Sequence, residues 1–520
     1  MTHSHHLGLA AIALIAIQAG PSATASAEHP DGFQPATQTP DLYEEPYRQI
    51  NIRINPQRTL GRVSEHFLGS NLSYFNDTDE IRQQARYDRV LAEAGVTALR
   101  YPGGEETSFF HWRHPGVDGY EDLWDQMYGA SGQPDTRGPF QTTRVGPEHW
   151  QDNQSFLDFD EFIRLCQNVG AEPVVGLNLS SGRAHNRIEE GLEEALAWIR
   201  YARDQGYDVQ YWFLDNEPWH HEAKYTFEIE TEYADDVLLF GNAIKKEFPE
   251  AKLIVNPVSW QHGDETAFLA EFFRKTGHVV DFIDLHLYWA WGLGSWDRWR
   301  ENTPLPANDR WSQEDDKATI SSQLDQVRMA LERAGHPDIG VMVLEWNLGP
   351  SPHTLMFSEQ AEALVQADIL LELMKQNVEM TAIWPLLWQT RREVWPEQDH
   401  FPSLIQQQAP FEPTATRRLF SMLSPLQGGT RLAASASHRD TPTLAVRSED
   451  GTLHVVILNK SAVRRKLMIT VGESPEQEGF IIDTLDLRSV ANEGNPRKRL
   501  FEDSFVPPYS CSVVQISGAP

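Results

Sequence analysis

From about residue 65 the chain of 520 residues alternates short apolar runs with amphipathic stretches, and it does so eight times. An apolar run bounded by turn residues and followed by a segment of helical periodicity is the pattern of a parallel strand–helix unit. The predicted strands are 68–75, 98–102, 173–179, 211–214, 252–257, 282–288, 341–346 and 381–388. The predicted helices include 79–94, 156–169, 189–205, 232–248, 267–276, 314–334 and 358–376. Gly95, Gly170, Gly206, Gly277 and Gly335 each follow a helical segment, as expected at a left-handed C-terminal cap. Eight units predict a closed (β/α)8 TIM barrel over residues 65–425, in preference to a doubly wound open sheet.

The pattern changes after a last helix near 413–423. Residues 426–520 carry short alternating strands at 443–447, 453–459, 467–471, 480–485 and 512–516, which predict an antiparallel β-sandwich. Ile50-Asn-Ile-Arg-Ile54, in a segment spanning 48–64, alternates in the same way and can join that sandwich. Ahead of it, residues 28–47 read as a leader without structure. The apolar stretch from Leu7 to Ile17, followed by Ala25-Ser26-Ala27, reads as a signal peptide over 1–27 and implies a secreted or periplasmic protein. No other run has membrane-spanning length. Cys166 and Cys511 fall in different predicted domains and match no redox or metal spacing.

The formal charge is −31, with 44 Lys and Arg against 75 Asp and Glu. Such a field repels nucleic acid and anionic membranes and favours a neutral partner. Sixteen tryptophans are many, and Trp112, Trp124, Trp150, Trp291, Trp296, Trp299, Trp311 and Trp395, with Tyr120, fall in three long connections at 105–155, 289–313 and 389–412. In a barrel these connections cover the C-terminal face, where aromatic rings suit the apolar faces of sugars.

Two carboxylates stand where such a face would use them. Glu217 ends the run Tyr211-Trp-Phe-Leu-Asp-Asn-Glu-Pro218, at strand four; Glu345 ends Val341-Met-Val-Leu-Glu345, at strand seven. A pair of acids from different strand tips of one barrel fits the cleavage of a glycosidic bond, so a carbohydrate is the expected substrate.

Asn216-Glu217-Pro218 on strand four, with a glutamate closing strand seven, resembles the retaining glycosidases on (β/α)8 barrels known as clan A. The resemblance runs along the whole barrel. It implies Glu217 as acid/base, Asn216 as a ligand of the sugar 2-hydroxyl and Glu345 as nucleophile. It also places Arg100, at the end of strand two, beside the nucleophile, the other reading being an ordinary barrel ion pair. Leu99-Arg-Tyr-Pro-Gly-Gly104, followed by Phe110-His-Trp112, is similar to the strand-two segment of α-L-arabinofuranosidases, where Asn usually follows the two glycines; here Glu105 stands instead and would bind substrate in its place. Leu214-Asp-Asn-Glu-Pro218 also resembles a family of endoglucanases, and agarases are a third similar group. These resemblances imply an arabinofuranoside, a glucan or a galactan from plant or algal material as the expected substrate.

Other candidates follow from position. His286 and Tyr288 alternate on one face at the end of strand six. The tyrosine can donate to Glu345, and the histidine either binds substrate or fills the core. Asn178 and Asn71 lie in or beside strands three and one and either bind sugar hydroxyls or serve the scaffold. Trp384 and Trp388 share a face of strand eight, and one of them would floor the sugar subsite. Asp215 should point away from Asn216 and be structural. Burial and the negative Glu345 should keep Glu217 protonated, while Arg100 and Tyr288 should keep Glu345 ionised. His220-His221 lacks the spacing of a zinc pair. No phosphate loop, dinucleotide fingerprint or Ser-His-Asp pattern is present, so neither metal nor cofactor is expected. The readings outside this class are a non-catalytic carbohydrate-binding barrel and a metal-dependent amidohydrolase, opposed respectively by the two intact glutamates and by the lack of clustered histidines at strand ends.

Overall fold

The structure, a computed structural model, describes residues 48–74, 76–108, 110–112, 120–121, 156–184, 186–219, 232–258, 266–289, 295–305, 319–349, 358–387, 401–407, 409–476, 481–489, 499–500 and 505–516. The proposed signal peptide and leader lie outside these residues.

Eight strands close into a barrel: Leu68–Asn71, Ala98–Tyr101, Glu172–Leu177, Tyr211–Leu214, Lys252–Val255, Phe282–Trp289, Gly340–Leu348 and Thr381–Ile383. Each pairs in parallel with its sequence neighbours, and the last pairs with the first. They are numbered one to eight below. Their near-continuous apolar sequence follows from burial on both faces. Ala98, Val174, Tyr211, Phe213, Ile254, Met342, Leu344, Met380 and Ala382 fill the barrel interior, while residues pointing the other way pack under the helices.

Local chemistry sets the helix ends. Asp158 and Glu161 form a reciprocal capping box at the start of Phe159–Val169. Gly95, Gly170, Gly206 and Gly335 adopt the left-handed cap conformation. Gly277 does not; there a side chain would collide with the His336 ring, so close packing requires the glycine. The predicted first helix is divided by Arg86, at φ 56°, into Asp79–Ala85 and Tyr87–Ala94.

The C-terminal strands build a curled mixed sheet, consistent with the expected sandwich-like domain. Its order runs from Ser474–Glu476 through Arg465–Val471, the N-terminal strand Arg48–Arg62, Thr430–Ala436, Thr443–Arg447, Leu453–Asn459, Ser510–Ile516 and Ile481–Asp486 to Arg499–Leu500. The N-terminal strand is antiparallel to Thr430–Ala436 but parallel to Arg465–Val471, so the sheet is mixed. A strand arriving from the far end of the chain has no hairpin to dictate its direction.

The strand Leu453–Asn459 shows how sheet and barrel share residues. Leu453, Val455 and Ile457 enter the sheet's own core, with Ile50, Ile52 and Ile54; Val456 and Leu458 face the barrel helices. Between the two bodies, helix Glu359–Lys375 is buried on nearly every side, and therefore shows no amphipathic stripe. Its Asp368 meets Lys460 of the sheet at 2.6 Å, both side chains fully buried. The two cysteines are free and buried. Among the described residues no helix is long and apolar enough to cross a membrane.

Candidate active site

Strand four ends in a constrained turn. Asp215 and Glu217 both have positive φ, 67° and 44°, a sparsely populated region for residues with side chains. Asp215 supplies the restraint. Its Oδ2 accepts from the backbone N–H of Leu179 at 3.1 Å and of Ser180 at 2.7 Å, and its Oδ1 accepts from Ser108 Oγ. The tip of strand four is thereby tied to the end of strand three and to the Glu105–Ser108 turn after strand two. Glu217 is left facing the barrel axis.

Strands two and seven bring the second carboxylate. Arg100, 1 % exposed, donates from Nη1 to Glu345 Oε2 at 3.0 Å and to Asn71 Oδ1 at 2.8 Å, and from Nη2 to Asn216 Oδ1 at 2.5 Å. Its guanidinium lies over the Phe213 ring. Tyr288 donates its hydroxyl to Glu345 Oε1 at 2.6 Å. Both oxygens of Glu345 are held, by groups from two different strands. His286 reaches both acids, with Nδ1 2.6 Å from Glu217 Oε1 and 3.7 Å from Glu345 Oε2. One oxygen each of Glu217 and Glu345 lie within 4.8 Å of one another.

The strand-two glycines explain how the acids stay accessible. A Cβ on Gly104 would stand 3.1 Å from Glu345 Oε2 and 3.5 Å from the Trp384 ring. Trp384 therefore flanks the same carboxylate, 7 % exposed. Trp388, its expected companion, lies outside the described residues. Glu105, half-buried in the turn after Gly104, is close enough for its charge to act on Glu217.

Electrostatics separates the groups. Burial pushes the Glu217 carboxyl above its ordinary range; His286 pulls it down, and Glu345 and Glu105 push it further up. Burial alone would lower the His286 value, but the negative Glu345 and Asp284 outweigh it and hold the imidazole at about 10. Burial and Glu345 keep the Tyr288 phenol well above its usual value. Glu217, His286 and Glu345 together offer three atoms near enough to hold a metal ion. An imidazolium has no lone pair to give, however, and the Arg100 guanidinium already sits on Glu345, so these charges disfavour a cation.

Several expected ligands are employed elsewhere. Asn71 donates its amide to the carbonyls of Leu344, Ala382 and Ile383 and accepts from Arg100, so it is a buried spacer. Asn178 donates to Phe110 O and Ser181 Oγ, and its Oδ1 accepts from the Ser181 N–H; these bonds fix the start of helix Ser180–Ala184 and leave Asn178 outside the acid pair. Trp112 stacks on Trp198, and its indole donates to Glu194 O. Trp296 and Trp299 are buried together against Tyr509 and Lys460 of the sheet. These three tryptophans are packing residues and not cleft walls. Trp124, Trp150, Trp291, Trp311, Trp395 and the His220-His221 pair lie outside the described residues. Asp284 went unremarked in the sequence, although Asp284, His286 and Tyr288 alternate along one face of strand six.

A closed parallel barrel with buried glutamates at the tips of strands four and seven defines the class: the resemblance to the clan A barrels extends from two motifs to the whole fold. No family model matches the chain. By sequence it is similar to α-L-arabinofuranosidase C of Emericella nidulans, 29% identical over 232 residues, covering 39% of this chain and 39% of that protein. The chain thus matches about two-fifths of the length of this curated relative. In structure it is similar to an α-L-arabinofuranosidase from Thermotoga maritima, with TM-score 0.62 and 17% identity over 90% of this chain and 100% of the other. A family 51 α-L-arabinofuranosidase from Bifidobacterium longum gives TM-score 0.62 and 18% identity over 91% and 100%.

Proposed function

We propose that the chain is a secreted retaining glycoside hydrolase that releases α-L-arabinofuranosyl groups from plant polysaccharides or their oligosaccharides. The observation that carries the mechanism is the separation of the two acids, with oxygens of Glu217 and Glu345 within 4.8 Å of one another. Retaining enzymes hold their carboxyl groups about 5–5.5 Å apart, whereas inverting ones leave about 6.5–9.5 Å for a water molecule. Glu345, its oxygens steadied by Arg100 and Tyr288, attacks the anomeric carbon. Glu217, held protonated, gives its proton to the leaving oxygen and later takes one from the water that frees the sugar. Asn216, fixed through its Oδ1 by Arg100, is placed to bind the 2-hydroxyl of the sugar, and Trp384 to floor its subsite. The arabinofuranosyl preference is supported by the sequence relatives and by the strand-two segment around Gly103 and Gly104. Secretion is supported by the apolar stretch and small-residue site in the first 27 residues.

The test is hydrolysis of an aryl α-L-arabinofuranoside, with arabinan, β-glucan, xylan and agar in parallel. Arabinofuranoside cleavage is expected, and it should fall by about 10²–10⁴-fold in Glu217→Gln and at least as much in Glu345→Gln. Full activity in Glu345→Gln would overturn the assignment of the nucleophile. Activity confined to β-glucan or agar would overturn the sugar.

A further inference from the structure

Strand six presents three polar residues to the barrel interior in succession. Tyr288 holds Glu345 and His286 holds Glu217, but the third, Asp284, is 1 % exposed and touches neither acid in the bonds described above. Its two oxygens do different things. Oδ2 lies 3.1 Å from His286 Nε2, and Oδ1 accepts from the Leu344 N–H at 2.7 Å. The second bond has a cause in the sheet: the register between strands six and seven slips between Met342 and Glu345, so that Val343 and Leu344 face the single residue Leu285. Such a bulge releases a backbone donor and turns the next side chain. Asp284 takes up that donor one residue before Glu345.

The other oxygen decides where protons sit. A carboxylate only accepts, so His286 Nε2 carries a proton. If Nδ1 were bare, Glu217 would have to spend its own proton on it through Oε1. If Nδ1 is protonated, it donates to Oε1, and the Glu217 proton rests on Oε2. The second arrangement also balances charge, because Asp284 and Glu345 are offset by His286 and Arg100 while Glu217 is neutral. Among the described residues, Glu105 and Tyr288 also interact electrostatically with Glu217, and Tyr233 with Asp284.

We propose that Asp284 is a positioning residue for the acid/base: it keeps His286 doubly protonated, so that Nδ1–H is donated to Glu217 Oε1 and the catalytic proton is carried on Oε2. The proposal rests on the hydrolase reading above. In the first step the Oε2 proton passes to the glycosidic oxygen as its bond to the anomeric carbon breaks and the bond to Glu345 forms. In the second, water attacks that carbon, its proton returns to Oε2 and Glu345 leaves. His286 keeps both protons throughout.

The near-isosteric Asp284→Asn tests this. Its carbonyl oxygen still accepts from Leu344, which turns the amide NH2 toward His286 Nε2 and leaves the imidazole neutral. Glu217 then loses a neighbouring cation. The alkaline limb of the kcat/KM profile should move up by about one pH unit, and kcat should drop by about tenfold or more. In an Asp284→Asn, His286→Gln double variant the Asp284 change should add nothing to the His286 effect. A profile superimposable on that of the parent protein, or strictly additive effects, would overturn the proposal. Nitrogen-15 NMR of the histidine-labelled parent protein, with the His286 signals identified by their loss in His286→Gln, reads the same point without activity. Both ring nitrogens should carry protons at about pH 8, where an unperturbed histidine is neutral; a neutral His286 there would also overturn it. Because that measurement needs no substrate, failure of the hydrolase reading and failure of the Asp284 role are told apart.

Discussion

At the scale of single residues, the site is organised around what each atom of Glu345 meets. Arg100 and Tyr288 occupy its oxygens, and Gly104 leaves the space beside Oε2 open. Gly104 is not in a left-handed conformation, so alanine there meets no backbone penalty, only the 3.1 Å contact with the carboxylate. Gly104→Ala should therefore cost about tenfold or more in kcat/KM, because small displacements of reacting groups are expensive, with little change in melting temperature. A large loss of stability with intact activity in the folded fraction would contradict this reading. The roles of Asn71 and Asn178 illustrate a limit of reading residues by position. Both stand at strand ends, as sugar ligands do, but each amide is taken up by nearby backbone or hydroxyl groups. The partners of Asn71 come from strands two, seven and eight, which its own segment does not reveal; those of Asn178 are Ser181, three residues on, and Phe110 of the connection after strand two.

At the scale of elements, the connection after strand one is held by a buried acid. Asp77, 1 % exposed, accepts from the Ser73 N–H at 2.6 Å and from the Tyr87 hydroxyl. Burial, the largest influence, raises its carboxyl from 3.8 to about 7 despite those bonds and the nearby Arg82. The folded state thus binds this proton more tightly than the unfolded chain. The stability it contributes is complete below the unfolded value and is lost as pH rises through about 7. Asp77→Asn removes the titration, so in urea unfolding the parent protein should weaken relative to the variant between about pH 4 and about pH 7. An unchanged gap between the two proteins would contradict it. The strands and most helices were legible because periodicity and helix-ending glycines report local structure directly. The break at Arg86 was not, since its sequence continues the helical pattern; nor was the strand Thr430–Ala436, whose small and polar residues carry weak alternation. The bulge before Glu345 depends on the pairing of two strands and leaves no local sign.

At the scale of the whole molecule, barrel and sheet are joined through shared apolar faces and a buried ion pair. The Lys460 ammonium, fully enclosed, bonds Asp368 and the carbonyl of Asn302. Asp368→Ala would strand a buried cation and should lower the unfolding free energy by about 3–5 kcal/mol, whereas an Asp368→Leu, Lys460→Met pair should recover most of it. Equal losses in both variants would show that packing, rather than the orphaned charge, sets the cost. The long connections were expected to supply tryptophan walls over the site, but Trp112, Trp296 and Trp299 instead anchor those connections to the barrel and the sheet. A tryptophan in a loop has the same local signature whether it meets a ligand or a neighbouring element. The acid pair was more legible, because two strand-end glutamates have few structural uses and their separation follows from barrel closure. That separation also makes the central claim directly testable. Proton NMR of the first-formed sugar during cleavage of an aryl α-L-arabinofuranoside should show the α-anomer, with the β-anomer growing in only by mutarotation; initial release of the β-anomer would contradict the double-displacement account.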